Sequence, residues 1–167
     1  LCAAGGYCEE VGASSASVFE LCEPGSWSHT VGLNSSAGCR ACGEGFYQPL
    51  NGANNADACL PCPLGTAGAT SGLSMCPSCP GGSFQDHVGQ TACEPCEQGS
   101  FCPEGASAPL PCKEGTYSAA TGLSSADQCT DAEPGHYATT GSTEQMPCSP
   151  GTRQPEPKKG SCEVCEA

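Results

Sequence analysis

Cys42-Gly43-Glu44-Gly45-Phe46-Tyr47, then Gly52, then Cys59-Leu60-Pro61-Cys62, is the stretch that decides the fold. Cys62 ends this unit and opens the next, which runs through Gly65 and Gly72 to Cys76-Pro77-Ser78-Cys79. From Cys79 the order returns as Gly82, Phe84, Gly89 and Cys93-Glu94-Pro95-Cys96. The chain is a series of such links. Upstream, Cys22 leads through Gly25, Trp27 and Gly32 to Cys39-Arg40-Ala41-Cys42. Downstream, Cys112 leads through Gly115, Tyr117 and Gly122 to Cys129, and Cys148 through Gly151 to Cys162-Glu163-Val164-Cys165.

Nine leucines, five valines, four phenylalanines and no isoleucine in 167 residues cannot furnish a conventional core. The 17 cysteines supply what apolar burial does not, and disulfides at this density imply an oxidising compartment: secreted, cell-surface or lumenal. A net charge of −13 makes nucleic acid a poor partner, because phosphate binding needs clustered Lys and Arg. Lys158-Lys159 is the one basic pair, and it reads as a solvated turn. No stretch approaches the roughly 20 apolar residues of a membrane helix, and no signal peptide is read at the start. Opening on Leu1-Cys2 without an initiator Met, the chain is expected to be a piece of something larger.

Missing cysteines give the pairing. Cys2, Gly5, Tyr7 and Cys8 share the spacing of Cys96, Gly99, Phe101 and Cys102; Ala132, Gly135, Tyr137 and Ala138 keep it with alanine at both cysteine positions. A bonded pair is lost together, since losing one partner strands a reactive thiol. This couples Cys96 to Cys102 and, by spacing, Cys2 to Cys8. The other links then close on themselves: Cys22 with Cys39, Cys42 with Cys59, Cys62 with Cys76, Cys79 with Cys93, Cys112 with Cys129 and Cys148 with Cys162. Cys165 remains at an opening position, its partner expected beyond Ala167. Each regular bridge closes about 15 to 18 residues, worth on the order of 3 kcal/mol in the chain-entropy account.

Two glycines per link are expected in left-handed or tight turns, with short strands such as Thr116-Tyr117-Ser118 between them. Tyr7, Trp27, Tyr47, Phe84, Phe101, Tyr117 and Tyr137 all lie five residues after an opening position. Each ring is expected to cover its own disulfide and touch the next link; the alternative is an exposed binding stripe. Glu9 to Leu21 reads as irregular, with Val18, Phe19 and Leu21 as its apolar cluster and room for a single helical turn.

Cys39-x-x-Cys42 followed by Cys59-x-x-Cys62 matches zinc-ribbon spacing. The continuous series leaves no unique tetrad, however, and the Ala132/Ala138 loss removes two sulfurs where a tetrahedral site would lose four. Redox chemistry at Cys-x-x-Cys would need a strand–helix setting that this sequence lacks. His29, His87 and His136 fall at different link positions without a repeated Asp or Ser partner, so no catalytic triad is read. No acidic cluster forms an EF-hand loop. Asn34-Ser35-Ser36 is a glycosylation sequon at a loop apex.

The string Cys-x-x-Gly-[Thr/Ser/Phe]-[Tyr/Phe]…Gly…Cys-x-x-Cys, plainest at Cys112-Lys113-Glu114-Gly115-Thr116-Tyr117, resembles the ephrin-receptor-like cysteine-rich repeat. It is also similar to the first module of tumour-necrosis-factor-receptor cysteine-rich domains and to EGF-like modules. The resemblance implies an extracellular receptor, adhesion, matrix or filament protein, and carries no catalytic residues.

The fold expected is small and disulfide-rich: an elongated tandem array of short two-stranded β/turn modules with almost no helix, in which links contact only neighbours. At roughly 10–15 Å per link it would span about 100 Å or more. The divisions read are 1–21 (a long link), 22–95 (four regular repeats), 96–131 (long link plus regular repeat), 132–164 (degenerate link plus final repeat) and 165–167 (the start of another). The function expected is a non-enzymatic extracellular spacer or assembly module, without cofactor, partnered by flanking domains or other protein chains in a homo- or hetero-filament. A ligand-binding receptor ectodomain is the alternative, with Leu33, Leu50, Leu73 and Leu123 as its candidate contacts.

Overall fold

A computed structural model describes residues 2–10 and 17–166. The building block is a hairpin made by one turn and one pair of two-residue strands. In the Cys42 link, Gly45 adopts φ +77° and reverses the chain into the strand Phe46–Tyr47. That strand pairs antiparallel with Leu60–Pro61, Phe46 opposite Pro61 and Tyr47 opposite Leu60. Proline is tolerated there because every sheet has only two strands and therefore only edges. The same pairing joins Ser26–Trp27 to Arg40–Ala41, Ser83–Phe84 to Glu94–Pro95 and Ser100–Phe101 to Leu110–Pro111. It recurs between Thr116–Tyr117 and Thr130–Asp131, His136–Tyr137 and Met146–Pro147, and Thr152–Arg153 and Glu163–Val164. Among the described residues this makes eight two-stranded sheets and no α-helix.

The opening hairpin is the longest and corrects one expectation. Val18, Phe19 and Leu21 lie in a strand, Ser17–Leu21, paired over five residues with Gly6–Glu10. No helical turn forms at them: β-branched and aromatic side chains favour the pleated surface, and the Tyr7 hydroxyl donates to Glu20 Oε2 across the strands at 2.6 Å. That bond, followed by desolvation and the nearby negative charge, pushes the Tyr7 pKa up to about 12. Residues 11–16 of the stretch lie outside the described residues.

Loop length decides where helix appears. Bridges spanning 17 positions enclose a 3-10 turn just before the closing cysteine: Ser36–Gly38, Ala56–Ala58 and Ala126–Gln128. Bridges spanning 14 positions have none. The three additional residues are one turn of 3-10 helix. Asn55 Oδ1 caps the second by accepting from Ala58 N, and Gln128 Oε1 reaches back to Ser124 N and Ser125 N at the third.

Links join through backbone. Most opening residues donate their N–H to the first-glycine carbonyl of the link before: Cys22 to Gly5, Cys42 to Gly25, Cys62 to Gly45, Cys112 to Gly99, and Ala132 to Gly115. Each second glycine donates to the preceding opening carbonyl, as Gly52 does to Cys22 and Gly72 to Cys42. The aromatic positions form parallel bridges to the following link, Trp27 with Ala53, Tyr47 with Leu73 and Phe101 with Leu123.

Contact extends beyond neighbours, against expectation. A Cβ on Gly25 would collide with the carbonyl of Gly72, two links ahead. Gly5 meets Gly52, Gly82 meets Gly122 and Gly99 meets Gly141 in the same manner. The first glycine is thus required twice over, by a left-handed φ and by a carbonyl seated where its side chain would be. The physical reason for the longer reach is the thinness of the modules: a two-residue hairpin cannot separate the turns on either side of it.

The chain divides into two units, residues 1–77 with 87–92, and residues 78–86 with 93–167. The fully buried side chains in both are mostly cysteine, among them Cys22, Cys42, Cys62, Cys96 and Cys112. Within the second unit Phe84 clusters with Cys96, Cys102 and Ala106, and Phe101 packs against Cys112, Leu123 and Cys129. These rings cover the following link's disulfide, a correction to the expectation that each covers its own. The parallel bridge between an aromatic position and the next link carries the ring forward.

Candidate functional site

The residues singled out in the sequence are the cysteines, and the structure bonds sixteen of them. The bonds are Cys2–Cys8, Cys22–Cys39, Cys42–Cys59, Cys62–Cys76, Cys79–Cys93, Cys96–Cys102, Cys112–Cys129 and Cys148–Cys162, with Cα separations from 5.6 to 6.0 Å. Cys165 is an exposed free thiol whose N–H bonds the Gly151 carbonyl. Both halves of every internal Cys-x-x-Cys go to different bridges. Among the described residues no three of His, Cys, Asp or Glu are grouped to hold a metal ion.

The sequence reading missed the position six residues after each opening residue. Gln48 and Gln154 are buried there. Gln48 Nε2 donates to the Ala58 carbonyl at 2.8 Å while its Oε1 accepts from Leu50 N at 2.9 Å. Gln154 repeats both bonds, to the Ser161 carbonyl and from Glu156 N. The amide ties the start of its loop to the residue before the closing cysteine. Cys102 occupies the same position with a disulfide, Ser28 and Ser118 with a hydroxyl, and Ala138 with a methyl. The recurrence of Gln at this spacing was the available signal. Gln48→Leu strands a carbonyl and an N–H and is expected to cost roughly 1–3 kcal/mol, read as a lowered denaturation midpoint; an unchanged midpoint would show that the amide is dispensable.

Ala132 and Ala138 are fully buried at the positions of Cys96 and Cys102. An A132C/A138C pair is expected to oxidise and add roughly 2 kcal/mol, with a mass loss of two hydrogens as the marker.

Lys158, read as a solvated turn residue, occupies the second-glycine position of its link with φ +60°, alone among described non-glycine residues. It is exposed, as expected of a turn, but its N–H bonds the Ala132 carbonyl as the glycines' do. Its Nζ lies 3.2 Å from Asp131 Oδ1 at the surface, and Lys159 pairs with Glu156 at 2.8 Å. An exposed pair contributes little, whereas a left-handed L-residue costs about 1–2 kcal/mol. Lys158→Gly is therefore expected to stabilise by about 0.5–1 kcal/mol after glycine's greater freedom when unfolded is counted; a destabilised variant in chemical denaturation refutes this.

Six links place Ser or Thr four residues after the opening cysteine, and at Ser26, Thr66, Ser83, Thr116 and Thr152 the hydroxyl donates to the carbonyl three residues back, each at 2.7 Å. Phe46 stands there in the Cys42 link. Its exposed ring and Trp27 line an apolar groove of about 360 Å³ with Ala41, Gly43 and Ala56. Arg40 lies 5.8 Å over the Trp27 ring, and His29 tilts against it at 5.6 Å. Of the leucines weighed as ligand contacts, Leu123 is buried on Cys112 and Cys129, Leu73 bonds Gln48 N through its carbonyl, Leu33 packs on Gly38, and Leu50 is exposed. Asn34 is exposed, and His136 Nδ1 lies 3.4 Å from the Pro134 carbonyl.

Eight local disulfides, tandem two-stranded hairpins and a core of sulfur define a small disulfide-rich repeat protein. Residues 65–108 match the family described as tyrosine-protein kinase ephrin type A/B receptor-like, and the cysteine-rich links of that stretch are similar to its repeats. That family is a receptor-type cysteine-rich one and not a catalytic one. The match and the disulfides together point to an extracellular module. No curated protein matches the chain. No helix among the described residues is long and apolar enough to cross a membrane.

Proposed function

We propose that the chain is a non-catalytic structural segment of a larger cell-surface or secreted protein, a stiff series of stapled links that spaces or assembles other domains, as in a fibre or matrix. The observation that carries the reading is the repeated interlink bond set, in which opening N–H meets preceding glycine carbonyl and second-glycine N–H meets preceding opening carbonyl. Identical steps give stiffness that no single loop controls. The contact of first glycines with turns two links ahead adds resistance to bending. The partners fitting this role are flanking domains or further protein chains, in homo- or hetero-filaments. Small-angle scattering of the purified chain is the test, with a rod about 100 Å or longer expected from the link length. A compact globular profile overturns it.

One observation favours a ligand-binding ectodomain as a second reading. In the Cys42 link an exposed phenyl ring replaces the turn hydroxyl, and Phe46 with Trp27 makes a groove. Phe46→Thr restores the hydroxyl and removes the ring; loss of a captured protein ligand by this variant, with unchanged stability, would favour the second reading over the first.

A further inference from the structure

We propose that Asn34 carries an N-linked glycan, an inference that rests on the extracellular reading above. Asn34-Ser35-Ser36 is the sequence's one Asn-x-Ser/Thr run, with no proline between. The fold presents it well. Gly32, at φ +82°, turns the chain and bonds the Cys2 carbonyl through its N–H. Leu33 is held inward, its methyls against Gly38 and its carbonyl accepting from Cys8 N at 2.9 Å. The next residue, Asn34, is exposed, and its amide takes no part in a hydrogen bond among the described residues. Ser35 is extended at φ −158° and ψ 159°, and the exposed Ser36 begins the 3-10 turn that leads to Cys39.

The neighbouring link supplies an internal contrast. Asn54 stands twelve residues after Cys42, as Asn34 does after Cys22, but is followed by Asn55-Ala56 and lacks the required hydroxyl two residues on. Asn55 itself spends its Oδ1 on capping Ala58 N at 3.1 Å. Only Asn34 combines a free amide, a downstream hydroxyl and exposure. Asn34 and Ser36 lie within the loop that the Cys22–Cys39 bridge closes, but both are exposed, so the loop can close with a sugar attached.

In the transfer, the Asn34 side-chain nitrogen forms a bond to the anomeric carbon of a lipid-pyrophosphate-linked oligosaccharide. The carbon–oxygen bond to pyrophosphate breaks, the leaving group keeps the electron pair, and the amide gives up one proton to a base of the membrane oligosaccharyltransferase. The added polar mass would shield Val31, which is exposed three residues away.

The experiment is glycopeptide mass spectrometry on the protein isolated from its natural source, with enzymatic deglycosylation in heavy-oxygen water and a parallel count of free thiols. Conversion of Asn34 to heavy-oxygen-labelled aspartate, absent from Asn34→Gln and Ser36→Ala variants and retained in Ser36→Thr, is the expected result. Oxidised cysteines with unmodified Asn34 overturn this inference and leave the extracellular reading standing. Reduced cysteines overturn both.

Discussion

Gly25→Ala is expected to open the ladder of its unit by about 3 kcal/mol, the sum of a left-handed L-residue and a forced displacement of backbone. Gly25 sits at φ +85°, and a Cβ there would run into the Gly72 carbonyl and crowd Leu73. Neither can give way alone: Gly72 N is bonded to the Cys42 carbonyl, and the Leu73 carbonyl accepts from Gln48 N. Gly135→Ala is the control. Its φ is +81°, yet nothing lies within 4 Å of its Cβ position, so only the conformational cost of about 1–2 kcal/mol remains. Native-state hydrogen exchange separates the two. Exchange at Gly72 and Gln48 should quicken about a hundredfold in Gly25→Ala, and the amides near Gly135 by much less in its own variant. Equal effects would mean that the contact two links ahead carries no energy.

Removing the bridge that joins Cys42 to Cys59 is the second large effect. The bond spans 17 positions, for which the chain-entropy account gives about 3 kcal/mol. Cys42 is 1% exposed, so an alanine pair also leaves a void among its neighbours. Trp27, the single tryptophan, lines the groove with both sulfurs' residues and reports the change. Cys42→Ala/Cys59→Ala should lower the denaturation midpoint and red-shift Trp27 emission, while the bridges of the flanking links stay formed. Complete reduction should abolish amide protection in every hairpin, because lone strand pairs of two to five residues with so little apolar burial have nothing else to hold them. Protected hairpins in the reduced chain would refute the view that sulfur replaces the core.

Much of the fold was legible because its determinants are local. Glycine, a hydroxyl, an aromatic and a cysteine recur within one link, and the bridge that closes a link spans at most 17 positions. Phe19 shows where local reading fails: a short apolar cluster has no periodicity to separate strand from helical turn, and pairing with Cys8 decided it. Gln48 and Gln154 were visible as recurring letters, yet nothing in an exposed-looking polar residue announces that its amide closes a loop.

By itself, then, the sequence determined a sulfur-held series of short hairpins in an oxidising setting, since spacing within a loop is enough to bring its ends together. Only the tertiary structure decided that Phe84 covers the following link's bridge, that Gly25 receives a carbonyl from Gly72, and that Lys158 stands in for a glycine. Such contacts join residues far apart in the chain, and a glycine needed for a turn looks the same in sequence as one needed for close approach.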